Sequence, residues 1–375
     1  MTYTSISIFN NGITIATRGR MSCFGSFFLA VPWNGATIME RFFSGNITKG
    51  SGLAFGFLIL IVCVYASMAY GATTISLSDV YHSFTQYDET SNAQIIVQTA
   101  RMPRAFTAAA IGASLAVAGS LIQGLTRNPL ADPNVIGINY GASFMIVFTV
   151  TQLSISSLPV LTGISFAGAA LASIAVYLLG SLGRDGLTPL KIILAGAALS
   201  ALFSSFTQGM LVLDEQGLNE VMFWLAGSVA GRSVEMLQAV LPFMAAGWIG
   251  ALWIARHMNV LTMGEDTAQG LGQRTLFVKL AAGLIIVALA GSSVAVAGPV
   301  GFIALIVPTI ARQFAGNDYR WIIPYSAVLG AILVLAADIA ARFVIQPEEL
   351  PVGIMTAIIG IPAFIVIARK GIVTR

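Results

Sequence analysis

Apolar runs of nearly bilayer-crossing length follow one another through this chain. A helix needs about 20 predominantly apolar residues to cross the hydrocarbon core. Runs of that order occupy residues 52–70, 105–125, 135–150 (a short one), 158–182, 192–213, 236–255, 276–297, 322–344 and 352–368, and an apolar segment broken by Gly and Pro covers 298–312. In lipid every backbone N–H and C=O must be bonded internally, so such runs are helices rather than open strands. Charged residues make up only 9% of the sequence, against roughly a quarter in soluble domains. The expected fold class is all-α, an integral membrane protein of about ten transmembrane helices.

Residues 1–50 stand apart. Pro32, Asn34, Gly35, Glu40 and Arg41 interrupt them, and their apolar stretch at 24–31 is too short to span. A cleaved signal peptide fits poorly, because Arg18 and Arg20 come late and no small-x-small site follows. We read 1–50 as a disordered cytoplasmic extension, with Met39 as an alternative start, and 51–375 as the transmembrane domain. Cys23 and Cys63 are far apart, and His82 and His257 lie in separate polar stretches, so no disulfide frame or metal site is indicated. The formal charge of +3 comes without a dense basic patch interleaved with aromatics, so no nucleic-acid partner is expected.

Charge orients the spans. With the N-terminus inside, the inner loops carry Arg127, Arg184, Lys191, Arg256, Arg274, Lys279, Arg312, Arg320, Arg369, Lys370 and Arg375, while the outer ones carry Arg101, Arg104, Arg232 and Arg342. Basic residues concentrate on the cytoplasmic side, so this arrangement obeys the positive-inside rule. Both termini are then cytoplasmic, and membrane lipid is the surrounding partner.

Three sets of residues invite a functional reading. The first is the polar island 256–275, which must face the cytoplasm. If helical, it would align Gly264, Ala268 and Leu271 in one small apolar stripe, with Glu265 and Asp266 in the first turn and Gly270 and Gly272 able to end it. Such a face suits a groove on a soluble partner; an ordinary interhelical loop is the plainer alternative. The second is Arg101, Arg104 and Arg342, which sit at outer helix ends against the charge rule. They either snorkel or pair with nearby acids, or form a cationic rim that steers an acidic external partner. The third is Asp338, the acid well inside a span. Such a residue is a functional candidate by default, and pairing with Arg342 at i+4 explains it structurally.

Five stretches in order and spacing carry a resemblance: Arg101-Met-Pro-Arg104; Arg127-Asn-Pro-Leu-Ala-Asp-Pro133 with Gly137 and Gly141; 259–272; 298–312; and Glu349-Leu-Pro-Val-Gly353. From about Leu53 onward the chain resembles permease subunits of the FecCD family, the type II ABC importers of iron-siderophores and cobalamin. The resemblance implies a permease that works with a second permease chain, identical or not, above two cytoplasmic ABC ATPase subunits. An extracytoplasmic substrate-binding protein would deliver ferric siderophore. It implies that Asn259, Leu261, Gly264, Glu265, Ala268, Leu271 and Gly272 couple to the ATPase, and that Arg101, Arg104 and Arg342 dock the binding protein. Asn128, Pro129, Pro133, Gly137, Gly141, Gly298, Pro299, Gly301 and Pro308 become gate or pathway-packing candidates. Thr309 stands where the family commonly has His, so that residue's role does not carry over.

The chain is expected to bind no cofactor or metal and to have no catalytic residues. It lacks the phosphate-binding GxxxxGK[ST] pattern, so ATP-Mg would sit on the partner ATPase. A secondary transporter would place coupling acids near the bilayer midplane, and Asp338 is its single candidate. An intramembrane enzyme would need His and carboxylates paired within spans, and the sequence shows none.

Overall fold

The structure, a computed structural model, describes residues 8–9, 12–13, 45–71, 75–155, 157–182, 189–214, 221–222, 224–345 and 348–373. Most of the N-terminal extension, Met39 included, and the loops carrying Arg184, Glu215 and Glu220 lie outside the described residues. The described elements are helical, apart from a two-residue ladder pairing Ile8–Phe9 with Gly12–Ile13. In chain order the helices are α1 (Asn46–Ala69), α2 (Leu77–Thr85), α3 (Asn92–Thr126), α4 (Ile138–Leu153), α5 (Leu158–Ser181), α6 (Pro189–Leu213), α7 (Val234–Thr262), α8 (Glu265–Gly270), α9 (Thr275–Ala297), α10 (Ile303–Ala315), α11 (Tyr319–Val344) and α12 (Val352–Val373).

Each apolar run falls on a helix, but not every helix has crossing length. α1, α3, α5, α6, α7, α9 and α11 are long and apolar enough; α4, α10 and the apolar part of α12 (Val352–Ile367) are shorter. The 13 residues of α10 extend only about 20 Å, against a hydrocarbon core of about 30 Å. The expected break before it is real. α9 stops at Ala297, and Gly298 and Phe302 both take positive φ before α10 begins.

The polar stretch after the first span is more helical than its composition suggests. Ser76 caps α2, its Oγ accepting from the Asp79 N–H at 3.1 Å and donating to the Asp79 carboxylate at 2.7 Å. α3 starts at Asn92, well before the apolar run, and passes through a π-turn at Val97–Arg101. Pro103 accounts for that turn. It has no N–H for the carbonyl four residues back and crowds it, so the ladder widens and Met102 N–H bonds Val97 O instead.

α3 is the axis of the bundle. It is buried without interruption from Ser114 to Leu125 and packs against α1, α7, α9, α10 and α11. Lipid is as apolar as Leu, so burial alone does not hold helices together here; close contact does. The small residues supply it. A Cβ on Gly112 would lie 2.3 Å from Gly330 O, and one on Gly330 would lie 2.3 Å from Gly112 O. The two backbones therefore touch, and Ser120 Oγ bonds Ser326 Oγ at 2.8 Å beside them. Small residues do the same on α4, where Gly141 meets Gly168 of α5. α6 departs from this pattern. Its Ala197, Ala198, Ala201 and Gly209 are exposed on the bundle surface, and a Cβ on Gly209 would meet nothing within 4 Å.

Gly112→Ala is expected to lower the thermal unfolding midpoint in detergent, despite Ala's better helix propensity, because a backbone carbonyl cannot move aside. Overpacking of this kind costs about 1–3 kcal/mol. Gly163→Ala on α5, where a Cβ meets nothing within 4 Å, should leave the midpoint unchanged or higher. Equal behaviour of the two variants would refute the contact.

Candidate functional site

The polar island folds as a tight reversal between α7 and α9. Gly264 caps α8 at φ 135°, and Leu271 and Gly272 (φ 79°) end it. Gln273 N–H returns to Ala268 O at 2.9 Å, and Gln273 Nε2 donates to His257 O at 2.9 Å. Lys279, the one charge in its apolar flank, reaches back from α9 and donates to Glu265 Oε1 at 2.6 Å. Ala268 is 0% exposed and turned into the protein, whereas Leu271 is 66% and Met263 68% exposed. The expected Gly264, Ala268, Leu271 stripe is therefore not one outward face. A six-residue helix is less than two turns, and its inner side must seat on α7 and α9. The apolar surface offered to solvent is Leu271 with Met263, a residue whose exposure the helical spacing did not reveal.

Asn259 and Leu261 also serve inwardly. Asn259 Nδ2 donates to Asp318 Oδ1 at 2.7 Å, and its Oδ1 accepts the Tyr319 N–H at 2.7 Å. This clasp ties the end of α7 to the start of α11. Leu261 is buried, and its carbonyl accepts Arg127 Nη2 at 3.2 Å. Asp318 caps α11 and also binds Arg320 Nε and Nη2 at 2.8–3.1 Å. The Arg320 guanidinium, followed by the Asn259 amide, holds the Asp318 carboxyl at about 2, against a burial effect that raises it.

The other end of α11, about 39 Å away at 1.5 Å for each of its 26 residues, carries the three arginines. Arg342 donates to the buried Asp338 one turn back, to Ser67 O at 2.7 Å, to Tyr70 O at 2.8 Å and to Ser67 Oγ at 2.9 Å. Arg101 Nη1 donates to Met68 O at 2.9 Å and Ala69 O at 2.7 Å. Those carbonyls belong to the end of α1, where no further helical N–H can meet them. Arg101 and Arg342 are thus the C-terminal caps of α1, buried rather than set on a rim. Arg104 lies between them. Its Nε and Nη2 bind Asp338 at 2.7–3.1 Å, and its Nη1 binds Glu349 Oε2 at 2.5 Å. The i+4 pair read from the sequence is present, but Asp338 serves two arginines, the second from a residue 234 positions away.

The packing candidates fall into two groups. Asn128, Pro129 and Pro133 shape the turn after α3, where Asn128 Oδ1 accepts from the Leu130 N–H at 3.0 Å. Gly137 then ends a 3-10 turn and opens α4. Gly298, Pro299 and Gly301 form the break before α10. A Cβ on Gly298 would stand 2.1 Å from Trp224 O, and Ser228 N–H bonds Ala297 O at 2.7 Å beside it. Pro308 lies inside α10 and leaves Ala304 O without its helical donor. Gln123 of α3 approaches that carbonyl at 3.3 Å and Leu305 O at 3.1 Å, and itself accepts Arg312 Nη1 at 2.7 Å. Sequence reasoning missed Gln123; the available signal was an amide inside an apolar span. Thr309 turns its hydroxyl back toward Leu305 O at 3.4 Å. Among the described residues no three His, Cys, Asp or Glu side chains are grouped to hold a metal ion.

Seven helices long and apolar enough to cross a membrane, with a short exposed helix at one end and an arginine cluster at the other, make this a multi-pass membrane protein. The FecCD transport family matches residues 59–370, and the chain belongs to that family. The probable siderophore transport system permease protein YfiZ of Bacillus subtilis is 52% identical over 313 residues, covering 84% of this chain and 94% of the relative. The ferric enterobactin transport system permease protein FepD of Escherichia coli is 39% identical over 314 residues, covering 84% and 93%. A solved chain described as an inward-facing metal-chelate type ABC transporter superimposes with a TM-score of 0.75 at 27% identity, covering 86% of this chain and 99% of that one. The fold is that of an ABC importer permease.

Asp338→Asn should lower the unfolding midpoint strongly, because it leaves two guanidiniums without their buried counter-charge, a loss of about 3–5 kcal/mol. An unchanged midpoint in detergent would show the carboxylate to be dispensable. Asp318 yields a pH prediction. Its folded value of about 2 lies below the ordinary 3.8, so its stabilising contribution is complete above about pH 4 and fades as pH falls through the folded value. The midpoint difference between wild type and Asp318→Asn should be constant above about pH 5 and shrink toward about pH 2; a difference that grew on acidification would contradict the assignment.

Proposed function

We propose that this chain is the permease subunit of an ATP-driven importer that carries a ferric siderophore across the cytoplasmic membrane. The observation that carries the reading is the short helix α8, presented beside exposed Met263 and Leu271 and braced behind by Glu265–Lys279 and buried Ala268. A braced apolar knob that faces water suits a cleft on a soluble partner. That partner is a cytoplasmic ABC ATPase, which holds ATP-Mg; the chain itself needs no cofactor. Force applied to α8 would pass through Lys279 into α9 and on to its break at Gly298. The excess of Lys and Arg on the α8 side supports a cytoplasmic position for α8 and for both termini.

At the opposite end the arginine cluster receives a substrate-binding protein, with Arg104 as its reachable member. The exposed small residues of α6 suit close approach of a second permease chain, leaving a path for a large polar chelate between two subunits. The ferric-siderophore reading rests on relatives described as serving siderophore, ferric citrate, hydroxamate and enterobactin systems.

Reconstitution with the ATPase and binding protein in liposomes tests the whole reading, with uptake of iron-labelled siderophore dependent on ATP. Met263→Ala with Leu271→Ala should weaken ATPase association by about tenfold or more and lower uptake accordingly. Normal association and uptake in that double variant would remove α8 as the contact. Uptake that ignored ATP and followed a proton gradient would overturn the importer reading.

A further inference from the structure

The three arginines differ in what they leave free for a partner. Arg101 and Arg342 spend their described bonds on carbonyls at the end of α1, the Ser67 hydroxyl and Asp338, below the surface. Arg104 is anchored by Nε and Nη2 to Asp338, whose side chain is 1% exposed, and directs Nη1 to Glu349, whose side chain is 31% exposed. Glu349 lies on the turn just before α12, and it is the most exposed member of the cluster. The two carboxylates are not equivalent. Removing Asp338 would strand buried cations. Displacing Glu349 would uncover one arm of a guanidinium that remains anchored from behind, and an ion pair with an exposed member is weakly held.

We propose that Glu349 is an internal stand-in for an acidic side chain of the substrate-binding protein. It occupies Arg104 Nη1 in the undocked chain and is exchanged for the partner's carboxylate on docking. This rests on the docking reading given above and adds to it a built-in competitor. The exchange also has a route onward. The same turn holds Leu350 N–H to Ala341 O at 3.3 Å and leads to Gly353, whose N–H bonds Gly227 O at 2.9 Å, and the 227 backbone packs on Pro299 in the break before α10. Release of Glu349 loosens the turn that joins the docking end to that break.

The test measures binding of the substrate-binding protein that supports uptake in the reconstituted importer to permease–ATPase complexes in nanodiscs. Four permeases are compared: wild type, Glu349→Gln, Arg104→Gln and the double variant. Removing the competitor should tighten docking about three- to tenfold, Arg104→Gln should weaken it, and Glu349→Gln should have no effect in the Arg104→Gln background. Glu349→Ala, which removes the competing carboxylate altogether, should behave like Glu349→Gln and guards against a folding defect peculiar to one substitution. If Arg104→Gln weakens docking while both Glu349 variants bind as wild type or worse, the stand-in is overturned and docking at Arg104 survives. If Arg104→Gln binds as wild type, both fall.

Discussion

A carboxylate enclosed among transmembrane helices has to be neutralised where it stands, because water cannot solvate it there. Asp338 meets that demand with two guanidiniums, and each then brings an element with it. Arg342 fixes α11 to the last carbonyls of α1, and Arg104 fixes α3 to α11 and to the turn before α12. Arg101 completes the end of α1 from the far side of the π-turn. One buried charge thus sets the relative position of four elements at one end of the bundle. The arrangement solves two problems together: a helix terminus with unmet carbonyls and a set of cations that would otherwise be costly to bury.

Away from that end, order comes from contact rather than charge. α3 meets α11 backbone to backbone at Gly112 and Gly330, and meets α10 where Gly119 faces Ala304. Gln123 supplies a donor near the carbonyl that Pro308 leaves unmet. At the α8 end the joints are polar again, with Asn259 clasping Asp318 and Lys279 bracing Glu265. Polar fastening thus lies at both ends of the bundle, with small-residue packing between them.

Much of this was legible from residue order. Each apolar run became a helix because a chain of this composition has no other way to satisfy its backbone in lipid. The Gly298 break followed from glycine and proline chemistry, and the Asp338–Arg342 pair from a four-residue spacing. The reading erred where orientation mattered. Ala268 and Leu271 look like one stripe by spacing, yet the first is buried and the second exposed. For Arg101 and Arg342 residue order left a cationic rim and pairing with nearby acids both open; both are buried and cap a neighbouring helix, and Arg342 pairs with Asp338.

The amino-acid order therefore determined the membrane class, the approximate helices, the polar loop opposite the arginine cluster and the family pattern, since each depends on hydropathy, length or residues close along the chain. The tertiary structure decided which side of each helix is buried, that α3 is the axis, that Glu349 and Asp338 share Arg104, and that Gln123 serves Pro308. The last two depend on residues 180 or more positions apart. Their meeting is set by how helices pack, and no local periodicity encodes that choice.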